Sequence, residues 1–375
     1  MTPELRTRPA YTALYTVGFG VFVLLGLLQA AYGPAYPLLE TRFAQSVSSV
    51  AGISSAHFGG SALGPVILGA LLTRVPLRAA MMLASAALAL GLLVLALAPT
   101  WPVALAGAAL AGLGFGAISG GLNSAFALLG AGPSSLVNAL FGIGSVAAPL
   151  LALGLGAFPL PFFVTAALAT LLALSLRSVR QWPSQPAVLA QRVVNRPQVA
   201  LFGLLFFSYV GIEAGLGNWA TTHLRATGNP EVVTSLYWLA LTLGRLGFAP
   251  FGTRLVDSRF GPAPVVLACA AVALLGSLIV AVPALAPAGY LIAGLGIAPI
   301  FSVLLAWFTS RFPARVAPLM LSAGSLGGAA IPAVIGLLVA RFGVQAVPYS
   351  VAADALLLGG SVLWVREVLR RSDAR

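Results

Sequence analysis

Apolar runs of about 20 residues recur along almost the whole chain, broken by short stretches rich in Arg, Gly and Pro. As helices rising about 1.5 Å per residue, such runs match the ~30 Å hydrocarbon core of a bilayer. Lipid offers no partner for a backbone N–H or C=O, so continuous runs of this length select α-helices. Only 7 % of the residues are charged and the mean hydropathy is +1.01; a soluble domain carries about 25 % charged residues. The fold class expected is an all-α membrane protein. The first run is longer than the core of a secretion signal, so it is read as a span.

Apolar runs read against breakers give twelve candidate helices: roughly 12–38, 46–72, 79–98, 102–129, 134–157, 160–176, 199–222, 232–251, 262–283, 287–309, 316–340 and 345–366. They are numbered span 1 to span 12 below. The one long polar connection, 177–198, carries Arg177, Arg180, Arg192 and Arg196 and falls near the midpoint. This divides the chain into a six-helix bundle (1–176), a cytoplasmic linker (177–198) and a second six-helix bundle (199–375).

All 20 basic residues are Arg. With the N-terminus placed inside, sixteen fall in cytoplasmic segments and three outside, at Arg42, Arg225 and Arg341. That asymmetry sets topology and puts both termini in the cytoplasm. The net charge of +12 is spread over short loops and tails, not over one face, which argues against nucleic acid. The expected location is a bacterial inner membrane.

No enzymatic constellation emerges. His57 and His223 lie in different spans, and Cys269 is the lone cysteine, so neither a metal set nor an intrachain disulfide is expected. Without Lys there is no phosphate loop for an ATP motor. No cofactor is expected; the partners expected are a small solute, protons and the lipid bilayer, with the chain as a monomer.

The two halves echo each other. Gly144 and Pro149 in span 5 recur as Gly327 and Pro332 in span 11, and Gly69 matches Gly252. Ala111-Gly112-Leu113-Gly114 in span 4 recurs as Ala293-Gly294-Leu295-Gly296 in span 10, although Ala214–Gly217 carries the same letters. A duplicated, pseudo-symmetric six-plus-six bundle is the favoured reading. Gly112, Gly116 and Gly120 repeat at four residues, the spacing of close helix contact.

The chain resembles the major facilitator superfamily along essentially its whole length. In the loop between spans 2 and 3, Gly69, Arg74 and Arg78 match that family's motif, with Thr73 where Asp is usual and Pro76 where Gly is usual. The second copy is kept better, as Asp257-Ser258-Arg259-Phe260-Gly261. The resemblance implies that Gly69, Arg74, Arg78, Asp257 and Arg259 form a conformational latch; simple anchoring of topology is the alternative. The second half is most similar to the fucose–hexose symporter branch and its bacterial relatives. This rests on Tyr209-Val210-Gly211 with Glu213 and Trp219, on Tyr237-Trp238 and Leu243-Gly244-Arg245, and on Ala323–Gly328 before Pro332. Phe141, Gly142 and Gly144 ahead of Pro149 are similar too. Symporters of that branch carry acids in spans 1 and 4. Here Glu40 stands at the outer end of span 1, and span 4 offers only Ser119, Asn123 and Ser124.

The resemblance implies that spans 1, 4, 7 and 10 line a central cavity. Glu213 then belongs to a cavity-lining helix, and an acid at that depth is costly on a lipid-facing surface. Tyr209 is one turn earlier on the same face. Glu213 is therefore the candidate for coupling or substrate contact, a structural tie being the alternative. Arg245 is the only cation inside a span; it is within reach of Glu213 by axial depth, and pairing would keep the acid ionised and weaken a proton-carrier role. His57 is either a hydrogen-bonded core residue or a relay. Gln29, Tyr32 and Tyr36 share one face of span 1 and suit a polyol, or an interfacial belt. Asn218, Trp219, Trp238, Trp307, Ser119 and Asn123 complete the cavity candidates, the tryptophans being equally suited to packing. The function expected is a secondary active transporter of a small polar solute, by proton symport, with proton-driven export and uniport as the alternatives.

Overall fold

The computed structural model describes residues 11–183, 195–256, 261–313 and 316–373. Among these there is no strand, and twelve helical spans run back and forth. The first six are Thr12–Arg42, Gly52–Leu71 (preceded by the turn Val47–Val50), Leu77–Leu97, Trp101–Leu129, Ala131–Leu155 and Leu160–Ser175. The second six are Arg196–His223, Pro230–Val256, Pro262–Val280, Ala286–Ile297 continued by Ile300–Arg311, Ala317–Phe342 and Ala346–Asp373. Ten of these spans are long and apolar enough to cross a membrane. The other two, Gly52–Leu71 and Pro230–Val256, are those that carry His57 and Arg245.

Several spans differ in extent from the sequence reading, span 12 most, which runs on to Asp373, and span 8, which runs on to Val256. Span 1 continues four residues further, to Arg42, where Thr41 caps back onto the Pro37 carbonyl at 2.8 Å. Span 10 is broken at Ala298–Pro299. Pro299 has no N–H to donate and its ring crowds the preceding turn, so the ladder restarts after it.

The duplicated glycines mark equivalent contacts. Lipid supplies no hydrophobic force between helices, so close backbone approach carries the association. A Cβ on Gly144 would stand 1.9 Å from the Val23 carbonyl oxygen of span 1. A Cβ on Gly327 would stand 1.9 Å from the Phe207 carbonyl oxygen of span 7. The same contact thus joins spans 5 and 1 in one half and spans 11 and 7 in the other. A Cβ on Gly112 or Gly116 of span 4 would likewise stand 1.8 or 2.0 Å from the His57 or Ser61 carbonyl oxygen of span 2. A Cβ on Gly120 would meet Pro65 at 3.4 Å, so the four-residue repeat loosens at its inner end. Gly327→Ala should therefore lower stability by about 1–3 kcal/mol through overpacking. Gly59→Ala, whose Cβ meets nothing within 4 Å, should be neutral or stabilising; thermal unfolding in detergent reads both.

Between the halves, span 2 packs on span 11, span 5 on span 8, and span 1 on span 7. The side where span 1 begins and span 12 ends is called the near side here. On the far side the halves meet tightly. A Cβ on Gly33 would fall 2.7 Å from the Gly217 carbonyl, and one on Gly336 would fall 3.2 Å from the Ser48 carbonyl. Ser55 Oγ donates to the Ala329 carbonyl at 2.7 Å, and Tyr36 meets the Trp219 ring edge-on. Arg225 and Glu40 form an outer ion pair at 3.6 Å, which at that exposure adds little.

Candidate functional site

A cavity lies between the halves, from mid-depth toward the near side. Its polar wall is supplied by Gln29 of span 1, Ser119 and Asn123 of span 4, Asn138 of span 5, Glu213 of span 7 and Arg245 of span 8. Rings of Phe22, Phe58, Phe115, Phe141, Phe206 and Phe301 stand between them. Ser61 and Ser325, one from each half, also reach the wall, with their hydroxyls 3.1 Å apart.

One hydrogen-bonded cluster organises the deep end. Arg245 Nη2 donates to Glu213 Oε2 at 2.8 Å and to the Tyr209 hydroxyl at 2.6 Å. Tyr209 in turn donates to Glu213 Oε2, as the i, i+4 spacing on one helix face allows. From the other half, Gln29 Nε2 donates to Glu213 Oε1 at 3.1 Å. Tyr237 fixes the backbone by donating to the Glu213 carbonyl at 3.0 Å. The Glu213 side chain is 4 % exposed and that of Arg245 13 %. Buried charges are tolerated when paired and hydrogen-bonded on every side, and the carboxylate meets that condition. Arg245 Nε is itself buried and has no partner among the described residues.

The family model "Major Facilitator Superfamily" matches residues 18–323. The chain belongs to the major facilitator superfamily. It is a multi-pass membrane transporter of small solutes, not an enzyme. Among curated relatives, the "Glucose/mannose transporter GlcP" of Bacillus subtilis (strain 168) is 22 % identical over 351 residues, covering 86 % of this chain and 87 % of that one. Among solved structures, the nucleoside transporter NupG superposes with a TM-score of 0.74 at 14 % identity, covering 95 % of this chain and 99 % of that one. The xylose transporter XylE from E. coli, in a partially occluded inward-open conformation, gives 0.71 at 13 %, covering 92 % and 95 %. A single-residue variant of the E. coli fucose:proton symporter FucP gives 0.67 at 15 %, covering 95 % and 99 %.

In this superfamily member, six of the sequence-derived candidates line the cavity: Gln29, Ser119, Asn123, Tyr209, Glu213 and Arg245. The others do not reach its wall. Tyr32 shares a 3.0 Å hydrogen bond with His57 Nδ1, and that imidazole is enclosed by Phe58 and Phe115. Tyr36 bonds Ser54 at 2.6 Å. Trp219 is fully buried with its indole N–H on the Pro332 carbonyl at 3.0 Å, so it belongs to the far-side closure. Trp238 packs between Tyr237 and Gly217, and Asn218 is buried beside Gly33. Trp307 stacks edge-on with Phe202 in an aromatic cluster with Phe308 and Phe312. These are packing positions, filled by large rings because close-packed helix interfaces need their volume.

Of the latch candidates, Gly69, Arg74 and Arg78 are exposed at the near side. Neither arginine has an ion-pair partner among the described residues. Asp257 and Arg259 lie outside the described residues, as does 184–194 of the linker. The sequence reading missed Asn138, Ser61 and Ser325. Asn138 had a usable signal, being an amide inside an otherwise apolar stretch of span 5. The phenylalanines had none, since apolar residues face lipid, core and cavity alike.

Proposed function

We propose that the protein takes up a neutral, ring-shaped polar solute of the hexose type by alternating access, in symport with protons. The observation that carries this reading is the wall of the cavity. Amide and hydroxyl groups from both halves converge on it, with flat aromatic rings between them and Arg245 in its wall. Polar groups fix the orientation of such a ligand while rings cover its apolar face. The glucose/mannose relative supports the substrate class. With the arginine-rich segments in the cytoplasm, the cavity belongs to the inward-facing form and the far-side closure seals the outside.

In this reading Glu213 is a substrate-contacting acid held by Arg245, not a free proton carrier. Its link to Gln29 crosses from one half to the other, so a solute that bonds both residues ties their positions together. Binding is tested by thermal stabilisation of the purified protein with glucose, mannose, fucose and uridine. A saturable rise in unfolding temperature with a hexose is the expected result, reduced at least about tenfold in affinity for Asn123→Ala, which leaves buried ligand hydroxyls unpaired. A response to uridine alone would move the substrate to nucleosides. No response to any of the four would remove the hexose reading.

A further inference from the structure

A second buried acid, which the cavity does not use, lies behind span 7. Asp354 sits in span 12, eight residues from its start at Ala346 and 3 % exposed. That places it about 12 Å below the far end of its helix, close to the depth of Glu213. A Cβ on Gly211 of span 7 would stand 2.7 Å from Asp354 Oδ2 and 2.5 Å from Ile331 of span 11. Gly211 and Glu213 are two residues apart, about 200° around the helix, so the two acids flank opposite faces of span 7.

Their surroundings are opposite in kind. Glu213 has a guanidinium, a phenol and an amide; neither oxygen of Asp354 has a hydrogen-bond partner among the described residues. The Ser208 hydroxyl of span 7 is a polar neighbour close enough to interact with the carboxyl, though no hydrogen bond of ordinary geometry joins them. No cation among the described residues faces Asp354 from spans 7, 9 or 11, which pack against span 12. Their titratable groups are elsewhere: Tyr209 and Glu213 on the cavity face, Arg196 and His223 at the ends of span 7, Cys269 on span 9, and Arg341 exposed at the end of span 11. On span 12 itself, Tyr349 is exposed, and Arg366, Glu367, Arg370 and Arg371 begin about 18 Å away at the near end.

An unpaired carboxylate at this depth costs several kcal/mol, whereas the neutral acid avoids that cost and gains a donor. We infer that Asp354 is a proton-binding site: it holds a proton while span 7 packs against span 12, and releases it when that contact parts and water reaches the carboxyl. The species are a carboxylic acid in the conformation described, and a carboxylate plus a released proton in the parted one. Gly211 fits this role, because the absence of a side chain lets span 7 close directly on the acid. The inference rests on the carrier reading only for what the proton drives; the site itself is independent of which solute is carried.

The test therefore needs no substrate. Infrared spectra of the purified protein in lipid at neutral pH should show a protonated-carboxyl carbonyl band that is absent from Asp354→Asn and retained in Glu213→Gln. Asp354→Asn should fold normally, since it replaces a neutral acid with a neutral amide. Gly211→Leu, whose side chain keeps span 7 from closing on span 12, should lose the band in protein that still melts cooperatively. Its absence from the wild-type protein, or its survival in Asp354→Asn, would overturn the site. A band unchanged in Gly211→Leu would make Asp354 a static neutral acid and overturn the release step.

Discussion

Arg245→Met should destabilise the protein by about 3–5 kcal/mol, the largest loss expected from any single substitution in the cavity wall. The cost is not the worth of one salt bridge. Removing the guanidinium leaves Glu213 as a charge at 4 % side-chain exposure, with Gln29 and Tyr209 as its remaining partners. Glu213→Gln in the natural background should also destabilise, because Arg245 then loses its counter-charge while keeping the 2.6 Å bond to Tyr209. Removing both charges reverses the sign of the argument. A Glu213→Gln, Arg245→Met double variant has no ion to desolvate, and should recover most of the stability lost in either single variant. Thermal or denaturant unfolding in one detergent reads all three. If the double variant is as unstable as the sum of the singles, the pair is not the coupled unit described here. Recovered folding without recovered transport would assign the pair to substrate contact.

Gly33→Leu should collapse transport for a different reason. The closed far side brings span 1 onto span 7 at Gly33, where even a Cβ falls 2.7 Å from the Gly217 carbonyl and 2.9 Å from that of Asn218. Backbone carbonyls cannot rotate away as side-chain ends can. Overpacking of about 1–3 kcal/mol borne only by the far-closed form shifts the equilibrium toward the opposite state by about 5- to 150-fold. Folding should be largely retained, since neither half loses an internal contact. A Ser55→Cys reporter, placed at the Ser55–Ala329 contact, should react faster with a membrane-impermeant maleimide when Gly33 is replaced by Leu. Unchanged labelling together with unchanged uptake would show that this contact does not gate the outer side.

Much of this architecture is legible in the residues themselves. Apolar runs give the spans, because the bilayer sets one length for all of them. Gly144 and Gly327 reveal the duplication, because only glycine lets two backbones meet at the contacts they make with Val23 and Phe207. Axial depth along spans 7 and 8 puts Arg245 within reach of Glu213, but it leaves open whether they pair; in the fold they meet at 2.8 Å. What sequence does not reveal is anything set by the meeting of the halves. The bond from Gln29 to Glu213 joins residues 184 apart, and no local pattern encodes it. The tryptophans mislead for a related reason. Their ring volume suits a sugar platform and a helix seam equally, and the side on which Trp219, Trp238 and Trp307 fall is decided by neighbours such as Pro332, Gly217 and Phe202. Pro299 is no more telling, since membrane helices carry internal prolines without breaking at Pro34, Pro65 and Pro149.

The most direct test is counterflow of labelled glucose or mannose in proteoliposomes. Vesicles loaded with unlabelled hexose should accumulate the label transiently and saturably through the wild-type protein, and fail to do so through Gly33→Leu. Label flux no faster than in protein-free vesicles, from a preparation that melts cooperatively, would contradict hexose transport by alternating access through this cavity.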